Sequence, residues 1–317
     1  MLYPQSNLHR QTIELADFWD FCFDPNDVGT QNGWQKGFTN ARPIAVPASW
    51  NDQFEDGRDF LGPAWYQTGF DLPWSWDEKR IVLRFGSVNY LAEVWLNGQS
   101  LGSHEGGHLP FEFDATSLVK QSGNLLVVRV DGRLAFDHVP PGNVTGDAAD
   151  FFTSHAGNFP QAQFDFFPYC GIQRPVMLYA TAQNYLRDIT VDTQFKDVLG
   201  EIHVRVERVG EASGIARFHL LGYGHHSTHE VPLSNESVEV DIDVPSVTLW
   251  SPKNPNLYDL SVELVQNGNV VDAYTLKVGV RTIKIVGDQL VLNDEPIYLN
   301  GFGRHEDFPV VGRGYVP

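Results

Sequence analysis

A chain of 317 residues, 42% of them hydrophobic, is long enough for two domains with buried cores and too apolar for a disordered polymer. A formal net charge of −18 disfavours nucleic acid or an anionic membrane as a partner, although a few local Lys or Arg can still receive an acidic sugar. No apolar run approaches the ~20 residues of a bilayer span, and Met1 to Arg10 has no apolar signal core, so a cytoplasmic location is expected. Only Cys22 and Cys170 are present, which argues against a disulfide framework.

Strand signals dominate the first half, and no convincing amphipathic helix appears. Trp19 to Phe23 forms a short apolar run closed by the turn residues Asp24-Pro25-Asn26. Ile44 to Pro47 leads into Ser49-Trp50-Asn51-Asp52, read as a polar loop. Trp65 to Phe70 and Ile81 to Phe85 alternate, and Tyr90 to Leu96 runs into Asn97-Gly98, the strongest short hairpin signal. Leu125 to Val130 and Val176 to Tyr179 complete a set of short strands expected to build an antiparallel jelly-roll sandwich over residues 1–182. Between Gly132 and Gln163 lies a long aperiodic stretch, expected to form a pocket wall, since long loops in compact domains are usually functional.

The pattern then changes. Ile202, Val204 and Val206 alternate with polar residues, as do Val238 to Val244 and Leu260 to Leu264. Such alternation marks sheets with one wet face, and about 100 residues of it predicts an immunoglobulin-like sandwich over 183–280. His225, His226 and His229 read as a solvated loop, because no carboxylate or Cys completes a metal set. After Val278, a turn at Asp294-Glu295-Pro296 precedes an expected strand, Ile297 to Asn300, which ends in the polar run Gly301 to Asp307. Polar side chains at a strand's end are where α/β barrels place their chemistry.

The candidate site centres on residues 163 to 174, Gln-Phe-Asp-Phe-Phe-Pro-Tyr-Cys-Gly-Ile-Gln-Arg. Asp165 is a lone carboxylate among Phe164, Phe166, Phe167 and Tyr169, and carboxylates avoid apolar surroundings unless paired, hydrogen-bonded or awaiting a ligand. An acid on an aromatic floor can bind sugar hydroxyls, and it can equally cap a turn beneath an aromatic cluster. On residue chemistry alone both readings stand.

Several ordered motifs resemble glycoside hydrolase family 2, and within it the glucuronidase branch. They are Ala45-Val46-Pro47 with Asn51-Asp52-Gln53-Phe54; Trp65-Tyr66-Gln67; Val94 to Gly98 through His104-Glu105-Gly106-Gly107 and Pro110-Phe111-Glu112; Pro140-Pro141-Gly142; Asp165-Phe166-Phe167 with Tyr169, Gly171, Ile172 and Arg174; Leu249-Trp250; Val278 to Arg281; and Gly301 to Asp307. The resemblance implies a mainly β chain: a jelly-roll, galactose-binding-like sandwich, an immunoglobulin-like sandwich, and over 281–317 the first strands of an incomplete (β/α)8 barrel. It further implies retaining hydrolysis of β-glucuronosides by two glutamates, both placed beyond Pro317, with no cofactor or metal and with homo-oligomers common. Two residues carry over as substrate-binding: Asp165, matching a carboxylate that binds glucuronosyl hydroxyls, and His305, matching a histidine near the reacting carbon. Cys170 stands where relatives usually carry a small residue, and residues 147–160 also depart from the family pattern. The alternative expectation is a non-catalytic carbohydrate-binding or assembly module of two sandwiches.

Overall fold

The computed structural model describes residues 2–134, 167–211 and 213–303. They fall into two compact units, one formed within Thr12–Ala180 and one by the stretch up to Gln11 together with Thr181–Gly303.

The first unit is a β-sandwich. Its strands are β1 (Gln11–Glu14), β2 (Asp17–Phe23), β3 (Arg42–Val46), β4 (Pro63–Phe70), β5 (Arg80–Phe85), β6 (Val88–Asn89), β7 (Leu91–Leu96), β8 (Gln99–Glu105), β9 (Phe111–Asp114), β10 (Asn124–Asp131), β11 (Gly171–Ile172) and β12 (Val176–Thr181). An antiparallel six-stranded sheet, β3-β2-β4-β10-β7-β8, faces a four-stranded one, β1-β12-β5-β9, and β6 and β11 form a two-stranded ribbon. This is the jelly-roll arrangement the short-strand pattern anticipated. Asn97 and Gly98 adopt φ of 54° and 77°, the left-handed pair a two-residue hairpin demands, and join β7 to β8.

The inner faces supply one large core in which Leu126, Val128 and Val130 of β10 meet Val82's neighbours Ile81 and Leu83, together with Leu178 of β12. The outer face of the six-stranded sheet is apolar too. Trp65 of β4 and Val127 of β10 are fully buried there with Phe38, under Trp34 and beside Trp95, whose ring stacks on Trp65 at 5.4 Å. Burial of β4 is therefore continuous from Pro63 to Gln67, where the sequence suggested alternation. The segment through Trp34 and Phe38 covers this apolar outer face.

The second unit is an immunoglobulin-like sandwich of β13 (Tyr185–Lys196), β14 (Leu199–Val209), β15 (Ile215–Gly222), β16 (His225–Pro232), β17 (Ser237–Pro245), β18 (Tyr258–Gln266) and β19 (Asn269–Val278). Antiparallel sheets β13-β14-β17 and β16-β15-β18-β19 close over a core that includes Ile202, Val204, Phe218, Ile242, Leu260 and Val262. The alternation in β14, β17 and β18 is the burial alternation of these strands. His225, His226 and His229 differ from expectation: they lie on the edge strand β16, since Tyr223 and Gly224, both at positive φ, make the turn before them.

Beyond β19 an antiparallel meander follows: β20 (Ile283–Val286), β21 (Gln289–Leu292) and β22 (Glu295–Pro296). The turn falls at Asn293 and Asp294, both at positive φ, so Glu295 and Pro296 belong to a strand and not to the turn. Ile297 donates its N–H to Leu290 O at 2.9 Å, after which the expected strand to Asn300 has no ladder among the described residues. Strand geometry needs a hydrogen-bonded neighbour, and here Tyr298, Leu299 and Phe302 are exposed. Limited proteolysis is accordingly expected to cut within residues 297–303 before it cuts the strands of either sandwich. Protection of this segment equal to that of the sandwich strands would refute the expectation.

Candidate functional site

Asp165 and His305 lie outside the described residues, as do Phe164 and Phe166. What is described is the frame from which the Asp165 segment departs, Phe167 to Arg174.

That frame begins at Ser49. Its hydroxyl accepts from Asn51 N at 3.2 Å and caps a one-turn helix, α1 (Trp50–Gln53), where the sequence suggested a loop. The cap fixes Asn51, which is buried and uses its whole carboxamide. Oδ1 accepts from Cys170 N at 2.8 Å, while Nδ2 lies 3.0 to 3.1 Å from the carbonyls of Gly57, Arg58 and Phe60. Backbone bonds from Ala48 N to Ile172 O (2.8 Å) and from Trp50 N to Cys170 O (3.3 Å) bind the same two stretches together. On the other flank Asn89 Nδ2 donates to Tyr169 O at 2.7 Å, and Gln173 Nε2 donates to the same oxygen. Three buried carboxamides thus satisfy the backbone of residues 169–170, which would otherwise hold costly unpaired groups in a dry interior.

Gly171 sits at φ 111°, and an added Cβ would meet Tyr66 Oη at 2.6 Å, so only glycine fits here. Phe167 and Tyr169 pack ring to ring at 4.8 Å, and the Arg58 guanidinium lies 4.8 Å over the Phe167 ring while pairing with Asp52 at 2.5 Å. Of the aromatic residues named around Asp165, Phe167 and Tyr169 are the two described, and they pack on each other. Burial, with the charge of Asp131 adding to it, holds the Cys170 thiol well above the ordinary thiol range, which disfavours the thiolate form. Burial likewise pushes the Cys22 thiol up to about 12, with Asp24 nearby reinforcing it.

Sequence reasoning named Asp165 and His305 and missed Asn51, Asn89 and Gln173. The available signal was Ser49 three residues before Asp52, the spacing of a capped helix start. Nothing local marked Asn89 or Gln173. The histidines of β16 do not gather ligands, and no group of three or more His, Cys, Asp or Glu able to hold a metal occurs among the described residues. His225 Nε2 instead meets Ser227 Oγ at 2.9 Å, and burial lowers its pKa.

The profile of the glycosyl hydrolases family 2 sugar binding domain matches residues 13–182, more than half of the chain, and the glycosyl hydrolases family 2 profile matches residues 184–281. The chain belongs to glycosyl hydrolase family 2. Family 2 relatives include the β-glucuronidase of Paenibacillus borealis, 35% identical over 99% of this chain and 52% of its own, and that of Homo sapiens, 34% identical over 99% and 52%. A β-glucuronidase from Ruminococcus gnavus solved with D-glucaro-d-lactam superposes with a TM-score of 0.88 at 34% identity, over 99% of this chain and 53% of that one. The same enzyme solved with D-glucuronic acid gives an equal score. The chain spans about half the length of the family 2 relatives it matches.

Proposed function

We propose that these residues form the N-terminal, substrate-facing portion of a retaining β-glucuronidase. The observation that carries the reading is the identity of about one residue in three with β-glucuronidases, sustained over 99% of the chain and through both sandwiches. In this reading Asp165 accepts hydrogen bonds from glucuronosyl hydroxyls, His305 supports the sugar near its reacting carbon, and two glutamates of a (β/α)8 barrel perform the cleavage. The buried carboxamides of Asn51, Asn89 and Gln173 fix residues 169–170, which follow Asp165 in the chain. A preorganised root matters because a binding group must be held within a fraction of an ångström to act on a transition state.

A second reading, a non-catalytic carbohydrate-binding or assembly module, is favoured by one feature: each sandwich has its own complete core. The two part on activity. Retaining cleavage needs an acid and a nucleophilic carboxylate about 5 Å apart, and the resemblance assigns both to segments beyond residue 317. A polypeptide of residues 1–317 is therefore expected to leave a chromogenic β-glucuronide intact, whereas a longer protein carrying these residues and such a barrel hydrolyses it with retention. Turnover by residues 1–317 alone would overturn the assignment of the glutamates. A folded longer protein inert toward β-glucuronides would overturn the glucuronidase reading itself.

A further inference from the structure

β19, the outermost strand of the four-stranded sheet in the second unit, has a strand partner on one edge only, and unpaired strand edges are templates for other chains. Here that edge is occupied by the N-terminal arm, and the contacts are made by side chains. The Gln5 carboxamide donates to Thr275 O at 2.8 Å and accepts from Thr275 N at 3.2 Å, reproducing the two bonds a neighbouring strand would make. Two residues along the same edge, Asn7 Nδ2 donates to Ala273 O at 2.9 Å. The period of two is that of a strand edge. Asn7 also shapes the arm, its Oδ1 accepting from His9 N and Arg10 N at 2.7 and 2.9 Å.

The arm ends in a buried ion pair. Arg10 grips Asp272 through Nε at 2.7 Å and Nη2 at 2.6 Å, and Nη2 also donates to Leu186 O at 2.7 Å. Asp272 is 0% exposed and receives Leu186 N at 2.7 Å, so its carboxylate sits in a prepared socket that requires a cation. Tyr274 donates its hydroxyl to Tyr3 O at 2.8 Å, and its ring lies 5.3 Å from the Arg10 guanidinium. Because side chains and not only backbone are read, this edge recognises a pattern: a carboxamide, a second one two residues on, and an arginine three residues after that.

We propose that the β19 edge and the Asp272 socket form a peptide-docking site, which holds the arm of its own chain and takes the same segment from a second copy when its own arm is disabled. The test uses the whole 317-residue chain carrying Gln5→Ala, Asn7→Ala and Arg10→Ala together, titrated with a fluorescent peptide of residues 2–11. Saturable binding to this variant is expected, with binding to the wild-type chain at least tenfold weaker because its site is filled. An Arg10→Ala peptide should bind the variant at least about tenfold more weakly, the order expected for losing a charge-assisted, bidentate contact. No binding to the folded variant, equal binding to both chains, or indifference to Arg10 in the peptide would overturn the proposal. Should the triple variant fail to fold, Gln5→Ala with Asn7→Ala keeps the ion pair. Hydrogen exchange at the Thr275 amide should then accelerate at least tenfold, and an unchanged rate would count equally against docking.

Discussion

Trp50→Ala is expected to destabilise the first sandwich by about 3–5 kcal/mol, as large-to-small changes of buried aromatic residues do. Trp50 is 0% exposed. Its ring meets Phe21 at 6.0 Å, Phe23 at 6.1 Å, Phe60 at 6.3 Å and Tyr66 at 6.4 Å, and Nε1 donates to Phe60 O at 2.8 Å. Alanine would leave a cavity walled by rigid rings that cannot collapse into it. In a domain of this size each kcal/mol moves Tm by roughly 2–4 °C, so the transition of the first sandwich should fall by about 6–20 °C. The transition of the second sandwich should stay in place, since among the described residues each sandwich has its own core cluster. Trp74→Ala is the matched control: Trp74 is 84% exposed, and its loss should change stability by no more than about 0.5 kcal/mol. Calorimetry of both variants decides the matter, and a Trp50 effect near that of Trp74 would mean the aromatic cluster is not the keystone of this sandwich.

Trp50 also shows where sequence legibility stops. Asn97-Gly98 was readable because a two-residue hairpin restricts backbone angles locally, and β14, β17 and β18 were readable because one buried face imposes a period of two. The continuous burial of β4 around Trp65 was not readable because its cover comes from residues 29 to 38, remote in sequence and without a period of its own. The arm was invisible for the same reason, with Gln5 and Thr275 separated by 270 positions. At the candidate site, residue chemistry raised Asp165 and left it between two roles; His305 came only from the resemblance. The carboxamides that root the segment act across as many as 119 positions, and an isolated Asn or Gln carries no sign of its partner.

Within a longer protein that includes the barrel, Asp165→Ala is expected to lower kcat/KM for a β-glucuronide roughly ten- to a hundredfold. Losing one charge-assisted hydrogen bond from a dry site costs about 1.5–3 kcal/mol, which is that factor in rate. His305→Ala should cost at least as much if, as the resemblance implies, it stands nearer the reacting carbon. Asp165→Ala should not unfold the protein, because residues 169–170 are held by other groups: Asn51 on Cys170 N, with Asn89 and Gln173 on Tyr169 O. This separates the two roles left open for Asp165. A carboxylate that binds sugar leaves Tm near wild type when removed and lowers kcat/KM. One that merely caps a turn does the reverse, lowering Tm by the equivalent of about 1 kcal/mol while the folded fraction keeps its kinetics. Asp165→Asn sharpens the comparison, since the amide keeps a capping oxygen and forfeits the charge. It should remain close to Asp165→Ala in kcat/KM if the negative charge is what holds the hydroxyls, and close to wild type if the oxygen only caps. Kinetics and melting measured on one preparation of each variant distinguish these outcomes, and wild-type kinetics in both variants would remove Asp165 from the site.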